Sequence, residues 1–246
     1  MPRLPPAGSH SHFGIIKQWL RECDESHPAC KLSNDPSANW FPTRVLDIGN
    51  NDDRVVRLWE PGPDDKGHYV ALSHPWGRGA HFITDKNNLE QRKKGIQLEK
   101  LPQTFVDAIL TTRAIGQRYL WIDSLCIIQG SDGEFQAQTK IMERIFSSAY
   151  CVLAATRAHG QTDGFLGPRQ ERDYVTMKDR TDGTLLYVCE NIDDFNGHVL
   201  NGPLSQRGWA FQEHALARRT VFFAEGQTYW ECGEGVRCET LTKMKK

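Results

Sequence analysis

Tyr119-Leu120-Trp121-Ile122-Asp123-Ser124-Leu125-Cys126 is four apolar or aromatic residues cut off by an acid and a hydroxyl. A short apolar run bounded by polar turn chemistry predicts a strand buried on both faces. Two more runs share this character, Tyr69-Val70-Ala71-Leu72-Ser73, stopped by Pro75 and Gly77, and Cys151-Val152-Leu153-Ala154-Ala155. Between them lie helical patterns. Val106, Ile109, Leu110 and Ala114 recur at helical spacing before Gly116, and Pro102, Thr104 and Asp107 form a capping-box pattern at the start. Glu134–Ala149 carries Ile141, Met142, Ile145, Phe146 and Ala149 as one apolar stripe, which predicts a single helix. Strands alternating with helices predict an α/β fold, a mostly parallel sheet with helices on both faces.

Outward from this core the pattern loosens. Residues 1–12 read as a flexible tail, and Phe13–Cys23 as a short amphipathic helix. Residues 13–66 form an N-terminal extension, with a hairpin of Thr43–Ile48 and Val55–Trp59 across Gly49-Asn50-Asn51-Asp52. Residues 67–240 form the α/β core with insertions, and 13–240 one domain. Thr184–Cys189 reads as a strand, and Ser205 as the cap of a short helix running through Trp209 to Leu216. Thr220–Ala224 and Gln227–Cys232 alternate about Glu225-Gly226, a C-terminal β-hairpin. Residues 241–246 read as a tail or as a boundary inside a longer protein.

Bulk composition excludes several classes. With 30 Lys+Arg against 31 Asp+Glu, no basic field exists to attract nucleic acid. Arg92-Lys93-Lys94 reads as a solvated face. No stretch reaches the roughly 20 apolar residues a membrane helix requires, and the N-terminus has no apolar signal core. Seven cysteines, an odd number, scatter along the 246 residues. These features predict a reducing, cytoplasmic location. Glycine-rich phosphate loops, a GxSxG elbow, HExxH and GxGxxG after a strand are all missing from the 246 residues.

Candidate chemistry collects where apolar strands end, because ligands of open α/β sheets bind outside the carboxyl ends of strands. Ser73, His74 and Trp76 follow the first strand, and Asp123 follows the second. The plainer reading is turn and cap chemistry. Trp209 and Glu213 lie four apart, on one face of a helix, with Arg207 before them. An indole beside a carboxylate suits a cationic or sugar-bearing ligand; alternatively Trp209 is core and Glu213 pairs with Arg207, Arg218 or Arg219. Cys23, His27 and Cys30 have the types and spacing of a zinc half-site. A fourth ligand from Cys232 or Cys238 requires long-range folding, so incidental thiols are the preferred reading and no metal is assigned. Cys126 with His74 would make a nucleophilic pair, but its apolar setting argues for a structural thiol.

Read in order, these segments resemble the fungal heterokaryon incompatibility (HET) domain. The likeness runs from Ile16–Leu20 with Cys23, His27 and Cys30 through Tyr69–Gly77, Leu101–Thr104, Tyr119–Gln129 and Leu204–Glu213 to Trp230-Glu231-Cys232. It spans residues 13–238. The resemblance implies a role in non-self recognition and regulated cell death, a form of fungal innate immunity. It also implies a distant likeness to Toll/interleukin-1 receptor (TIR) domains and their flavodoxin-like sheet. In enzymatic TIR domains a helix-borne Glu cleaves the nicotinamide–ribose bond of NAD, which makes Glu213 the catalytic candidate. Ser73, His74, Trp76, Asp123, Arg207 and Trp209 become ligand contacts, with NAD as a candidate substrate rather than a cofactor. A non-catalytic signalling or oligomerisation module, associating with itself or with other death-signalling proteins, is the competing reading.

Overall fold

The computed structural model describes residues 4–30, 40–169, 174–189, 192–206 and 213–244. Strands and helices are numbered in chain order. At its centre β3 (Tyr69–Ser73) is buried along its whole length. It runs parallel to β5 (Tyr119–Ile122) on one side and to β6 (Cys151–Ala154) on the other. Beyond β6, β9 (Arg219–Phe223) is also parallel. All four are buried strands, and β3, β5 and β6 are near-continuous apolar runs because helices or loops cover both faces.

The chain leaves β3 through α3 (Gln103–Ala114) to reach β5. It then crosses back over β3, by α4 (Asp123–Cys126), α5 (Phe135–Thr139) and α6 (Met142–Ser148), to reach β6. Right-handed crossovers in opposite directions place α3 and α6 on opposite faces. Side-chain contacts agree. Tyr69 Oη donates to the Ile145 carbonyl on α6, whereas His74 rests against Phe105 on α3. The resulting order, β5-β3-β6-β9, reverses at β3 in the flavodoxin-like manner. A crevice therefore opens between the carboxyl ends of β3 and β6.

Antiparallel strands extend both flanks into a ten-stranded sheet. β1 (Val45–Asp47) pairs with β5, β2 (Val55–Trp59) with β1, and β4 (Ile96–Gln97) with β2. The hairpin expected over residues 43–59 is this β1–β2 pair, and it is part of the main sheet. Short helix α2 (Leu89–Lys94) precedes β4 and carries the Arg92-Lys93-Lys94 run in its last turn. On the other flank β10 (Thr228–Cys232) pairs with β9 as expected, followed by β11 (Gly235–Cys238) and β12 (Lys243–Met244). Residues 243–244 are thus sheet rather than tail; 245–246 lie outside the described residues. The strand expected at 184–189 is β8 (Leu185–Cys189), paired with β7 (Tyr174–Lys178) in a separate ribbon.

Two helix expectations change. Helix α1 runs from His10 to Ser26, so residues 10–12 are not tail. Ser9 caps it by accepting from His12 N at 3.2 Å, and His12 is fully buried. The expected helix over 134–149 is split into α5 and α6. Gln138 on α5 donates to Thr43 at 3.2 Å, while Ile145 and Phe146 on α6 pack beneath the sheet. Among the described residues no helix is long and apolar enough to cross a membrane.

His12 joins the two ends of the chain. Its Nε2 lies 2.8 Å from Thr228 Oγ1, and Gly8 N donates to Nδ1 at 3.0 Å. Arg169 and Glu239 are its charged neighbours, paired with each other at 2.8 Å. Burial, and then the Arg169 guanidinium, depress the His12 pKa from 6.5 to about 3. An unfolded chain takes up this proton near 6.5 and the folded chain only near 3, so stability falls as pH drops between these values. Melting temperature measured from pH 7 to pH 4.5 is expected to fall more steeply for wild type than for His12→Gln. Parallel curves would show that His12 is not the responsible group.

Candidate functional site

Ser73 is the last residue of the central strand, where the sheet meets the crevice. A hydroxyl buried there needs a partner. It donates to Glu213 Oε2, and Glu213 is itself only 4% exposed. The carboxylate arrives on a helical turn over residues 213–216, just before β9. His214, next along, meets Glu231 on β10 through its Nε2. Ser73, Thr156, Ser205, His214 and Thr220 line a small cavity of about 20 Å³, room for about one water.

On the side facing α3, the loop after β3 engages the loop after β5. Trp76 Nε1 donates to Asp123 Oδ2 at 2.8 Å. Asp123 Oδ1 accepts from Ser124 N at 2.6 Å and lies 3.8 Å from His74 Nδ1. The His74 ring is fully buried and edge-on to Phe105 at 5.1 Å. The structure thus brings Ser73, His74, Trp76, Asp123 and Glu213 to one rim. Arg207 and Trp209 lie outside the described residues.

A cleft of about 750 Å³ opens beside this rim, within the range of small-molecule sites. Its walls come from the loop after β3, with Trp76, His81 and Phe82, and from the loop after β6, with His159, Gln161 and Asp163. The two loops touch backbone to backbone at Gly77 and Gly160. Gly77 has φ +82°, and a Cβ there would come within 2.8 Å of Gly160 Cα. Only glycine tolerates both the dihedral and the approach. Gln161 Oε1 accepts from Phe82 N at 2.7 Å. Its buried Nε2 has no acceptor among the described residues.

Residues 69–213, more than half of the chain, match the family model described as "Heterokaryon incompatibility protein (HET)". The chain belongs to the HET family. No curated protein and no solved structure matches it. The matched segment of this HET chain begins with the first residue of β3 and ends at Glu213. The Ser73–Glu213 bond therefore joins its two ends. Family membership suggests a role in heterokaryon incompatibility.

The β6 loop was not among the residues singled out from sequence. Thr156 to Asp163 follows an apolar strand with the same polar grammar as the first two loops. That signal was available, but its position at the crevice depends on strand order. Thr104 and Asp107, read as a capping box, do something else. Helix α3 has Pro102 at its N-cap and no side-chain cap bond. Thr104 Oγ1 donates to the Gly160 carbonyl at 2.9 Å and accepts from Gly164 N at 3.1 Å. Asp107 Oδ2 accepts from Phe165 N at 2.6 Å and Leu166 N at 2.8 Å. Both pin the cleft loop, because backbone groups buried there require partners more than the helix end does.

Arg219 pairs with Asp24 at 2.6 Å, and Arg218 donates to the Ser147 carbonyl at 2.8 Å. Cys126 is buried in the core, and desolvation pushes its thiol up to about 12. Such a thiol suits packing rather than nucleophilic attack. Cys23, His27 and Cys30 lie away from the rim, at the end of α1, and Cys232 joins them.

Asp107→Ala strands one buried and one part-buried N–H group in the cleft loop, at a cost of about 2–4 kcal/mol. Urea denaturation is expected to show this loss, with faster amide exchange at 160–166. Unchanged exchange at 160–166 would show that the loop is held by other contacts.

Proposed function

We propose that this HET chain serves heterokaryon incompatibility, and the cell death that accompanies it, by hydrolysing the nicotinamide–ribose bond of NAD at this rim. One observation carries the reading: the buried carboxylate of Glu213 reaches the carboxyl end of the central parallel strand, bonded to Ser73. A fixed carboxylate at that edge has the charge to stabilise an oxocarbenium-like ribosyl cation. The C1′–N bond breaks with its electron pair passing to the pyridinium nitrogen, so nicotinamide leaves neutral. Water then adds to C1′ and releases a proton, giving ADP-ribose. Trp76, its indole held by Asp123, offers a stacking face beside the cleft, and Gln161 Nε2 a hydrogen-bond donor. His74 packs behind them, edge-on to Phe105. Of the other expected ligand contacts, Arg207 would meet phosphate and Trp209 would stack on a base. This is the TIR-type chemistry. A cytoplasmic location fits the free thiols of the described cysteines.

A second reading, a non-catalytic assembly module, has its own support. The β7–β8 ribbon exposes Val175, Met177, Leu186 and Val188, each at least half exposed. An apolar two-stranded ribbon whose edges are unpaired among the described residues favours association, here with a second copy of the chain.

The test is purified, concentrated protein incubated with NAD, with nicotinamide followed by chromatography. Wild type is expected to release it. Glu213→Gln, which keeps an oxygen for Ser73, is expected to be about 100-fold slower or worse. No release by wild type, dispersed or assembled, ends the enzymatic reading. Light scattering of a Val175→Asp/Val188→Asp variant decides the second. Lost assembly, with toxicity indifferent to Glu213→Gln, favours the scaffold.

A further inference from the structure

The end of α1 and the β10–β11 turn meet in a cluster that the proposed chemistry leaves unused. Cys23, His27 and Cys30 are spaced by four and three residues, which puts them on one side of a helical path. The path is continuous: His27 N donates to Cys23 O at 3.2 Å, and Cys30 N to His27 O at 3.0 Å in the following 3₁₀ turn. Cys232, the last residue of β10, arrives from the far end of the chain. One ligand atom from each of the four lies within 4.8 Å of all the others. Cys232 Sγ is 3.5 Å from His27 Nδ1. Every one of these residues is buried, His27 the most exposed at 8%.

We infer that Cys23, His27, Cys30 and Cys232 form a structural zinc site that clasps the N-terminal helix to the C-terminal hairpin. Zinc takes thiolates at about 2.3 Å and imidazole at about 2.0 Å in a tetrahedron. Those lengths set S···N edges of about 3.5 Å and S···S edges of about 3.8 Å. The cluster needs only small contractions to reach them. Four protein ligands leave no open position, which is the structural rather than the catalytic pattern.

The surroundings suit a metal thiolate. Glu234 N donates to Cys232 Sγ at 3.4 Å, the kind of outer contact that orients and stabilises a ligating sulfur. Arg219 Nη2 donates to the Cys30 carbonyl at 3.1 Å. A guanidinium therefore borders a Cys₃His site whose net charge with Zn²⁺ would be −1. Gly233 leaves room for the metal-facing thiol: a Cβ there would come 3.3 Å from Cys30 Sγ. All four ligands lie outside the segment matched by the family model, residues 69–213. The inference is independent of the NAD reading.

The full chain, expressed with zinc and purified without chelators, is analysed for metal by mass spectrometry. About one zinc per chain is expected. Cys232→Ser is expected to lower occupancy at least about tenfold, whereas Cys151→Ser, a buried thiol in β6, leaves it unchanged. Should Cys232→Ser fail to fold, His27→Cys, which keeps four ligands, is expected to retain zinc. Cobalt exchanged into the wild type is expected to show the ligand-field bands of a tetrahedral thiolate-rich site. Stripping zinc with a chelator is expected to lower the melting temperature, and zinc added back to restore it. The proposal is overturned by zinc-free wild type without cobalt bands, by undiminished zinc in Cys232→Ser, or by a melting temperature indifferent to stripping.

Discussion

A hydroxyl at the end of a strand buried on both faces cannot be left without a hydrogen bond. Ser73 is in that position, and Glu213 is what answers it. The bond couples residues 140 apart. It draws the polypeptide before β9 over the carboxyl edge of the sheet, and it places an acid where α/β folds bind ligands. Without it Ser73 would be a buried unsatisfied group, costing about 1–3 kcal/mol, and the carboxylate would lose a partner in a dry setting. Structural need and chemical opportunity thus fall on the same pair of atoms.

The cleft follows from a second constraint, the handedness of crossovers. Opposite crossovers put β5 and β6 on either side of β3, and the loop after β6 lies against α3 beside the loop after β3, where the two touch. Gly77 and Gly160 allow that touch. Thr104 and Asp107 then secure the β6 loop from α3. The crevice is therefore held by backbone-directed bonds on one wall and by the Trp76–Asp123 bond on the other. A ligand would meet walls already in place, which lowers the ordering cost of binding.

The ends of the chain close on each other. α1 lies across the C-terminal hairpin, with Trp19 against Trp230 at 6.4 Å and Glu22 bonded to Arg237. Buried polar groups recur along this seam: the His12–Thr228–Arg169–Glu239 network and the Cys23–His27–Cys30–Cys232 cluster. A fold whose first helix packs on nearly its last strands has high contact order. A metal clasp or a satisfied polar network there would stabilise the closure that chain entropy opposes most.

The sequence by itself determined the local elements and the family. Apolar runs of four or five residues before polar turns marked β3, β5 and β6, and alternation about Glu225-Gly226 marked β9 and β10. Those signals are legible because strand and helix periods are written in neighbouring residues. Ser73, His74, Trp76, Asp123 and Glu213 were picked out by the same grammar, as residues following strands or sharing a helix face. Tertiary structure alone decided that β6 crosses to the far side of β3, that the Thr156–Asp163 loop joins the cleft, that Thr104 and Asp107 hold a loop instead of capping a helix, and that Cys232 completes the cysteine–histidine cluster. The reason is the weak, logarithmic dependence of loop closure on length. A partner 60 or 205 residues away costs little more to reach than one at half that distance, so spacing says almost nothing about which of them is met.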